Sequence, residues 1–209
     1  MIKKFMSLEP EKRDRIINTA LEEFAQKGYK NGSTNEIVKK ADISKGLLFH
    51  YFGNKKSLFL FLYEYSWDIL SKDFFSKINT NETDIIKRLR QIAQLKIELI
   101  QIHPDLSAFL ITATLDDSAE IKTELENKYK NNFQDSMKKI YEGIDTSGFR
   151  EGLDIQRVME IIAWIAQGFN NREVELLKRD PNYRANYDIN AVMAKLDGYV
   201  ELFKNVIYK

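Results

Sequence analysis

The sequence predicts an all-α protein, built as an N-terminal three-helix head with a helix-turn-helix and a larger C-terminal helical bundle. Three observations lead there. Only 3 prolines and 9 glycines interrupt 209 residues. Nearly every segment between them repeats its apolar residues at spacings of 3 and 4, the period of a helix buried along one face, and not at the spacing of 2 that a half-buried strand needs. The hydrophobic fraction, 44%, is enough to build a real core in a chain of this length.

Each element has its own local signal. A first helix is predicted over Pro10–Lys27, with proline at its first position, Ile16, Ile17, Ala20, Leu21, Phe24 and Ala25 as its inward stripe, and Gly28 at C′. A short second helix runs from Thr34, as N-cap, to Ala41, with Ile37 and Val38 facing inward. Asp42-Ile43-Ser44 turns the chain. Ser44 caps a third helix over Lys45–Phe52, and Ile43 and Leu48 have the spacing of a hydrophobic staple. Asn54 caps a fourth helix whose Leu58–Trp67 stretch is apolar nearly all round, which predicts burial on most sides and a bridging place between head and body. Further helices are predicted at about 83–102, 104–115, 118–143, 154–179 and 187–207. Leu106–Leu115 and Ile161–Asn171 carry no charge and read as central body helices. The division into domains is expected at residues 1–56, the head, and 57–209, the body.

Composition removes several classes of function. With no cysteine there is no disulfide, thiolate metal site or cysteine nucleophile, and 2 histidines leave little for metal or acid–base work. The paired carboxylates Asp116-Asp117 are sequence neighbours and so do not face one another on a helix. No phosphate-binding glycine loop or nucleophile motif is present. The sequence therefore predicts no enzyme, no cofactor and no metal. Charged residues occupy 8 of the first fifteen positions, and the longest stretch free of Asp, Glu, Lys and Arg is eleven residues, Ile161–Asn171, against about 18 for a membrane span. The expectation is a cytoplasmic protein with no membrane partner. The net charge of +1 hides an asymmetry: residues 1–60 carry 12 Lys and Arg against 7 Asp and Glu, the remainder 20 against 24. A basic head on a mildly acidic body suits a nucleic-acid partner.

The two short helices and the turn between them, Ser33 to Phe52, form a helix-turn-helix, whose second helix enters a major groove. With Leu48 and Phe52 turned inward at i, i+4, that helix is left to present Lys45, Gly46, Leu47, Phe49, His50 and Tyr51, rings that a purely structural helix would not expose. The stretch from Arg15 to Phe61 resembles the TetR family of transcriptional regulators, through Ile16-Ile17-x-x-Ala20-Leu21-x-x-Phe24-x-x-x-Gly28-Tyr29 and then Thr34-x-x-Ile37-x-x-x-Ala41-x-Ile43-Ser44-Lys45-Gly46-x-Leu48-Phe49-His50-Tyr51-Phe52-x-Asn54-Lys55-x-x-Leu58. The family usually has glycine where Asp42 stands, and Asp is among the few other residues that tolerate the left-handed region. The resemblance implies that Thr34, His50, Tyr51 and Lys55 hold phosphates while Lys45, Gly46, Leu47 and Phe49 lie near base edges. The chemistry agrees at several positions: Gly46 lets the backbone approach the groove, Leu47 or Phe49 suits a thymine methyl, and a phosphate reverses the unfavourable dipole that Lys55 meets at a helix N-terminus.

The last helix carries an apolar stripe that includes Val192, Leu196, Tyr199 and Phe203 and is wider than one neighbouring helix can cover, so it is expected to pack on its own body and on a second chain. Paired with Ile161 and Ile165 of the preceding long helix, it predicts a four-helix homodimer interface, which the resemblance also implies. Large side chains at Tyr63, Trp67, His103, Phe109, Tyr129, Phe133, Trp164 and Phe169 are candidates for an effector pocket, and the few polar groups nearby lean toward a small apolar or neutral ligand. The expected function is a ligand-responsive repressor on double-stranded DNA, bound to an inverted repeat as a homodimer. The same head also fits an activator or architectural protein with no small-molecule ligand.

Overall fold

The computed structural model describes residues 2–180, 182–183 and 186–209, and within them the side chains other than those at 129, 131–138, 170, 174, 177, 178 and 189. The described residues form helices α1 (Ile2–Met6), α2 (Pro10–Asn31), α3 (Thr34–Lys40), α4 (Lys45–Phe52), α5 (Lys55–Asp73), α6 (Ile85–Ile102), α7 (Pro104–Thr114), α8 (Lys122–Tyr141), α9 (Ile155–Arg179) and α10 (Ile189–Ile207). No strand occurs among them, and an isolated bridge joins Phe149 to Tyr208. The chain divides into two compact units, one made of residues 1–76 and 99–136, the other of 77–98 and 137–209.

In the first unit the inward stripe of α2 packs on Ile37, Leu48, Leu58, Phe59 and Phe109. Gly28 has the positive φ expected of it (φ 69°, ψ −176°), a region essentially closed to side chains, so α2 breaks there before a last turn to Asn31. The α3 cap differs from expectation. Ser33, not Thr34, occupies the N-cap, its Oγ accepting from the Glu36 N–H at 3.4 Å, while its own N–H donates to the buried Glu23 carboxylate at 2.9 Å. Thr34 is the first helical residue. Asp42 takes the left-handed turn conformation, φ 52°, and Arg15 Nε fastens the turn to α2 by donating to the Ala41 carbonyl at 2.9 Å. Ser44 and Asn54 cap α4 and α5 as predicted, accepting from Leu47 N–H (3.1 Å) and Ser57 N–H (2.8 Å).

Helix α1 was absent from the sequence reading because five residues show no period. Its Phe5 is fully buried, with ring centroids 4.7 Å from Phe52 and 5.5 Å from Phe61. Helix α5 buries Leu58, Phe59, Phe61, Leu62 and Tyr63, the near-complete burial its composition predicts.

The second unit closes around Ile85, Ile86, Phe149, Val158, Ile162 and Ile207. Arg88 of α6 is completely buried. Its guanidinium donates to the carbonyls of Thr80 (2.8 Å), Glu82 (2.9 Å), Ile140 (3.1 Å) and Glu142 (2.6 Å), tying the loop before α6 to the end of α8. The cation sits where helix carbonyls run out of partners and the macrodipole is negative. Arg90 bridges α6 to α10 through Asp197 at 2.6 and 3.1 Å. Arg150 caps the end of α10 through the Asn205 and Tyr208 carbonyls, both at 2.8 Å. Among the described residues no helix is long and apolar enough to cross a membrane.

Candidate nucleic-acid interface

Helix α4 is held from behind by Leu48 and Phe52, both buried. That anchoring sets the rotation of the helix, and Lys45, Gly46 and His50 are left exposed with Leu47 and Phe49 half-buried beside them. The Lys45 ammonium lies 5.8 Å from the Phe49 ring centre, a cation–π contact that keeps the charge near the ring without removing it from water. Around Gly46 a Cβ would meet nothing closer than the Ser44 hydroxyl at 4.0 Å, so the backbone there is open to a partner.

Two expected contact residues are less free than their positions in the sequence imply. Tyr51 is half-buried, its ring edge-on to Phe5 at 5.5 Å and 5.3 Å from the exposed His50. The unpredicted α1 covers part of it. Lys55 donates to the Lys30 carbonyl at 3.1 Å and lies over the Tyr29 ring at 4.9 Å. These contacts satisfy one of its three donors and hold the ammonium beside the α5 N-terminus. Thr34 is half-buried at the start of α3.

Behind this surface a set of polar contacts ties α2 and α5 to α7 and its sequel. Thr112 Oγ1 donates to the Ala25 carbonyl at 3.0 Å, Tyr29 N–H donates to Asp116 Oδ2 at 2.7 Å, and the Tyr29 hydroxyl donates to Glu120 at 2.5 Å. Lys56 pairs with Glu124 at 2.5 Å, and Lys128 pairs with Glu64. Burial, then the Glu120 hydrogen bond, push the Tyr29 hydroxyl up to about 12, so it remains a donor. Burial raises the Asp116 pKa, but hydrogen bonds from Ser118 and Tyr29 outweigh it and the net shift is downward. Sequence reading missed this set because its partners lie 87 and 91 residues apart at Tyr29, beyond the reach of any local pattern.

The pocket candidates do not converge. In the first unit Phe109 is a core ring against Phe59 at 5.0 Å, Tyr63 is buried 6.3 Å from the half-buried Trp67, and His103 pairs with Asp73 at 3.4 Å. Beside them Ser66 Oγ, Trp67 Nε1 and Ser107 Oγ are buried with no hydrogen-bond partner among the described residues. In the second unit Phe169 lines an apolar cavity of about 90 Å³ between α6, α9 and α10, whereas Trp164 is 69% exposed. The side chains of Tyr129 and Phe133 lie outside the described residues. Of the expected dimer residues, Ile161, Ile165 and Tyr199 are exposed and Phe203 is half-buried, but Val192 and Leu196 are 3% and 6% exposed and turned into their own subunit. The open face of α10 is rotated to Tyr199, Leu202 and Val206. The stripe is divided between two faces, as its width predicts, but Val192 and Leu196 fall on the face turned into the subunit's own body.

Residues 16–62 match the family described as bacterial regulatory proteins, tetR family. The chain is similar to the uncharacterized HTH-type transcriptional regulator YuxN of Bacillus subtilis, with 48% identity over 58 residues, 28% of this chain but 20% of that relative's length. Similarity to the HTH-type transcriptional regulator QacR of Staphylococcus aureus is lower but longer, 27% identity over 159 residues, covering 75% of this chain and 82% of QacR. The fold is shared with a TetR family transcriptional regulator from Chloroflexus aurantiacus, at a TM-score of 0.69 and 22% identity over 99% of this chain and 98% of that one. Residues 16–62 thus carry a helix-turn-helix that matches the tetR-family model, on a chain that shares its fold with a regulator of that family along almost its whole length.

Proposed function

We propose that this protein is a transcriptional regulator of the TetR family, a ligand-responsive repressor that binds an inverted-repeat operator in the cytoplasm as a homodimer and is released by a small apolar or neutral effector. The observation that carries the reading is the outward face of α4, where Lys45, Gly46 and His50 are exposed on a helix whose rotation is locked by Leu48 and Phe52. On this reading residues 1–56 read DNA: Lys45, Gly46, Leu47 and Phe49 meet base edges, and Thr34, His50, Tyr51 and Lys55 meet phosphates. Residues 57–209 hold the effector and the partner subunit. The dimer forms through α9 and α10, where Ile161, Trp164, Ile165, Tyr199, Leu202 and Val206 are exposed apolar residues in the single chain.

Release requires that the effector favour one arrangement of the heads over the other. A coupling of about 1–3 kcal/mol already changes DNA affinity roughly 5–150-fold. Thr112 of α7 and Asp116 and Glu120 just after it contact α2 directly, so a shift of α7 would be passed through α2 to the helix-turn-helix that packs on it.

The test is selection of bound duplexes from a random pool. The expected outcome is an inverted repeat with half-site centres about 34–36 Å apart or a multiple of that. Tight binding that survives insertion of five base pairs between the half-sites overturns the paired-head geometry.

A further inference from the structure

The cavity between α6, α9 and α10 is walled by apolar side chains, among them Ile92, Ala93, Ile162, Ala166, Phe169 and Phe203. Three ionic residues also reach it: Arg90, Lys96 and Glu173. Two are already engaged. Arg90 holds Asp197 in a two-pronged ion pair at 2.6 and 3.1 Å, and the Glu173 carboxylate accepts the Tyr183 hydroxyl. Lys96 makes no hydrogen bond or ion pair with any described residue, and burial pushes its pKa down.

A cation among apolar side chains with no counter-ion is destabilising, and so are three N–H donors left unmet. A neutral ligand, which the sequence alone favoured, leaves that cost in place. A cationic ligand adds like-charge repulsion from Lys96 and Arg90 and leaves the Lys96 donors unmet. A carboxylate head satisfies both the charge and the donors of Lys96, and an alkyl chain behind it suits the remaining wall.

We infer that this cavity takes an amphipathic carboxylate, its head paired with the Lys96 ammonium and its aliphatic chain against α6, α9 and α10. The inference deepens the ligand-responsive reading and rests on it for its regulatory meaning, but the binding test needs no DNA.

The full-length protein is titrated calorimetrically with decanoate, 1-decanol and decylamine, three ligands of one chain length whose heads are anionic, neutral and cationic. Decanoate is expected to bind at least tenfold more tightly than the other two. The Lys96→Met variant keeps side-chain length and removes the unpaired charge, so it is expected to melt no lower than the wild type, to lose at least tenfold in decanoate affinity and to keep its affinity for decanol. Decanoate binding no tighter than decanol, an undiminished decanoate affinity in Lys96→Met, or no binding of any of the three overturns the inference. The comparison of heads on the wild type decides the matter even if the variant does not fold. Tight decanoate binding that leaves the protein on its operator supports this site and sinks the release mechanism instead.

Discussion

Tyr51 leans its ring edge on Phe5, next in sequence to the exposed His50 and on the same short helix as Lys45, so substitutions along α4 separate binding from folding. Lys45→Ala is expected to weaken DNA binding and leave the melting temperature within a degree or two, because only an exposed side chain is lost. Tyr51→Ala is expected to lower both affinity and stability. Tyr51→Phe isolates the hydroxyl: a phosphate contact predicts lost affinity at unchanged melting temperature, checked by gel shift alongside thermal melts. Leu48→Ala is expected to cost about 2–5 kcal/mol, read from urea unfolding, since it empties a buried site. Leu48 and Phe52 were legible from their i, i+4 spacing, and Ser44 and Asn54 from their places before apolar runs. Tyr51 was not, because its cover comes from a five-residue helix with no period. Ser33 and Thr34 are both good caps, and the choice between them rests on Glu23, ten residues back, which holds the Ser33 N–H.

Among the elements, α2 and the sequel to α7 meet where Gly28 breaks the helix. A Cβ at Gly28 would lie 3.2 Å from Asp116 Oδ2, and the backbone there has φ 69°. Gly28→Ala is therefore expected to cost about 1–3 kcal/mol in backbone strain and to displace the carboxylate that accepts from Tyr29 N–H. Asp116 also sets an acid limit on this junction. Its folded pKa lies below the ordinary 3.8, so its contribution is complete above that value and fades as the pH drops through the folded pKa. Acid titration of Asp116→Asn against wild type checks this: the variant's lower stability is expected to converge on the wild type's only in strong acid. In the second unit Arg88→Ala removes a buried cation that serves four carbonyls, and a loss of about 3–5 kcal/mol is expected in equilibrium unfolding. The positions of the longer helices, unlike that of α1, were readable because each carries its own period and breaks. How the helices are joined was not, since Arg88, Asp116 and Glu120 look like ordinary surface charges when only their sequence neighbours are seen.

At the scale of the whole molecule, the exposed apolar faces of α9 and α10 carry the expectation of a dimer. Trp164→Glu together with Leu202→Glu places charges on side chains that are each 69% exposed in the single chain. Each subunit should fold while the dimer is lost, and sedimentation velocity at micromolar concentration distinguishes a folded monomer from an unchanged dimer. The same test at Leu196 would probe the core instead, because that side chain is buried in its own subunit. The periodicity of α10 announced a wide stripe but not where it divides, which depends on where α6 lies. The first unit is assembled from two separated stretches of chain, 1–76 and 99–136, and Phe109 of the later stretch packs in the same core as Phe24 and Phe59 of the earlier one. Chains are made from the N-terminus at about 5–20 residues per second, so the helix-turn-helix leaves the ribosome seconds before the helix that completes its core. A nascent or prematurely terminated chain ending before Pro104 presents the apolar side of α2 to water, and it falls to quality control rather than to an operator.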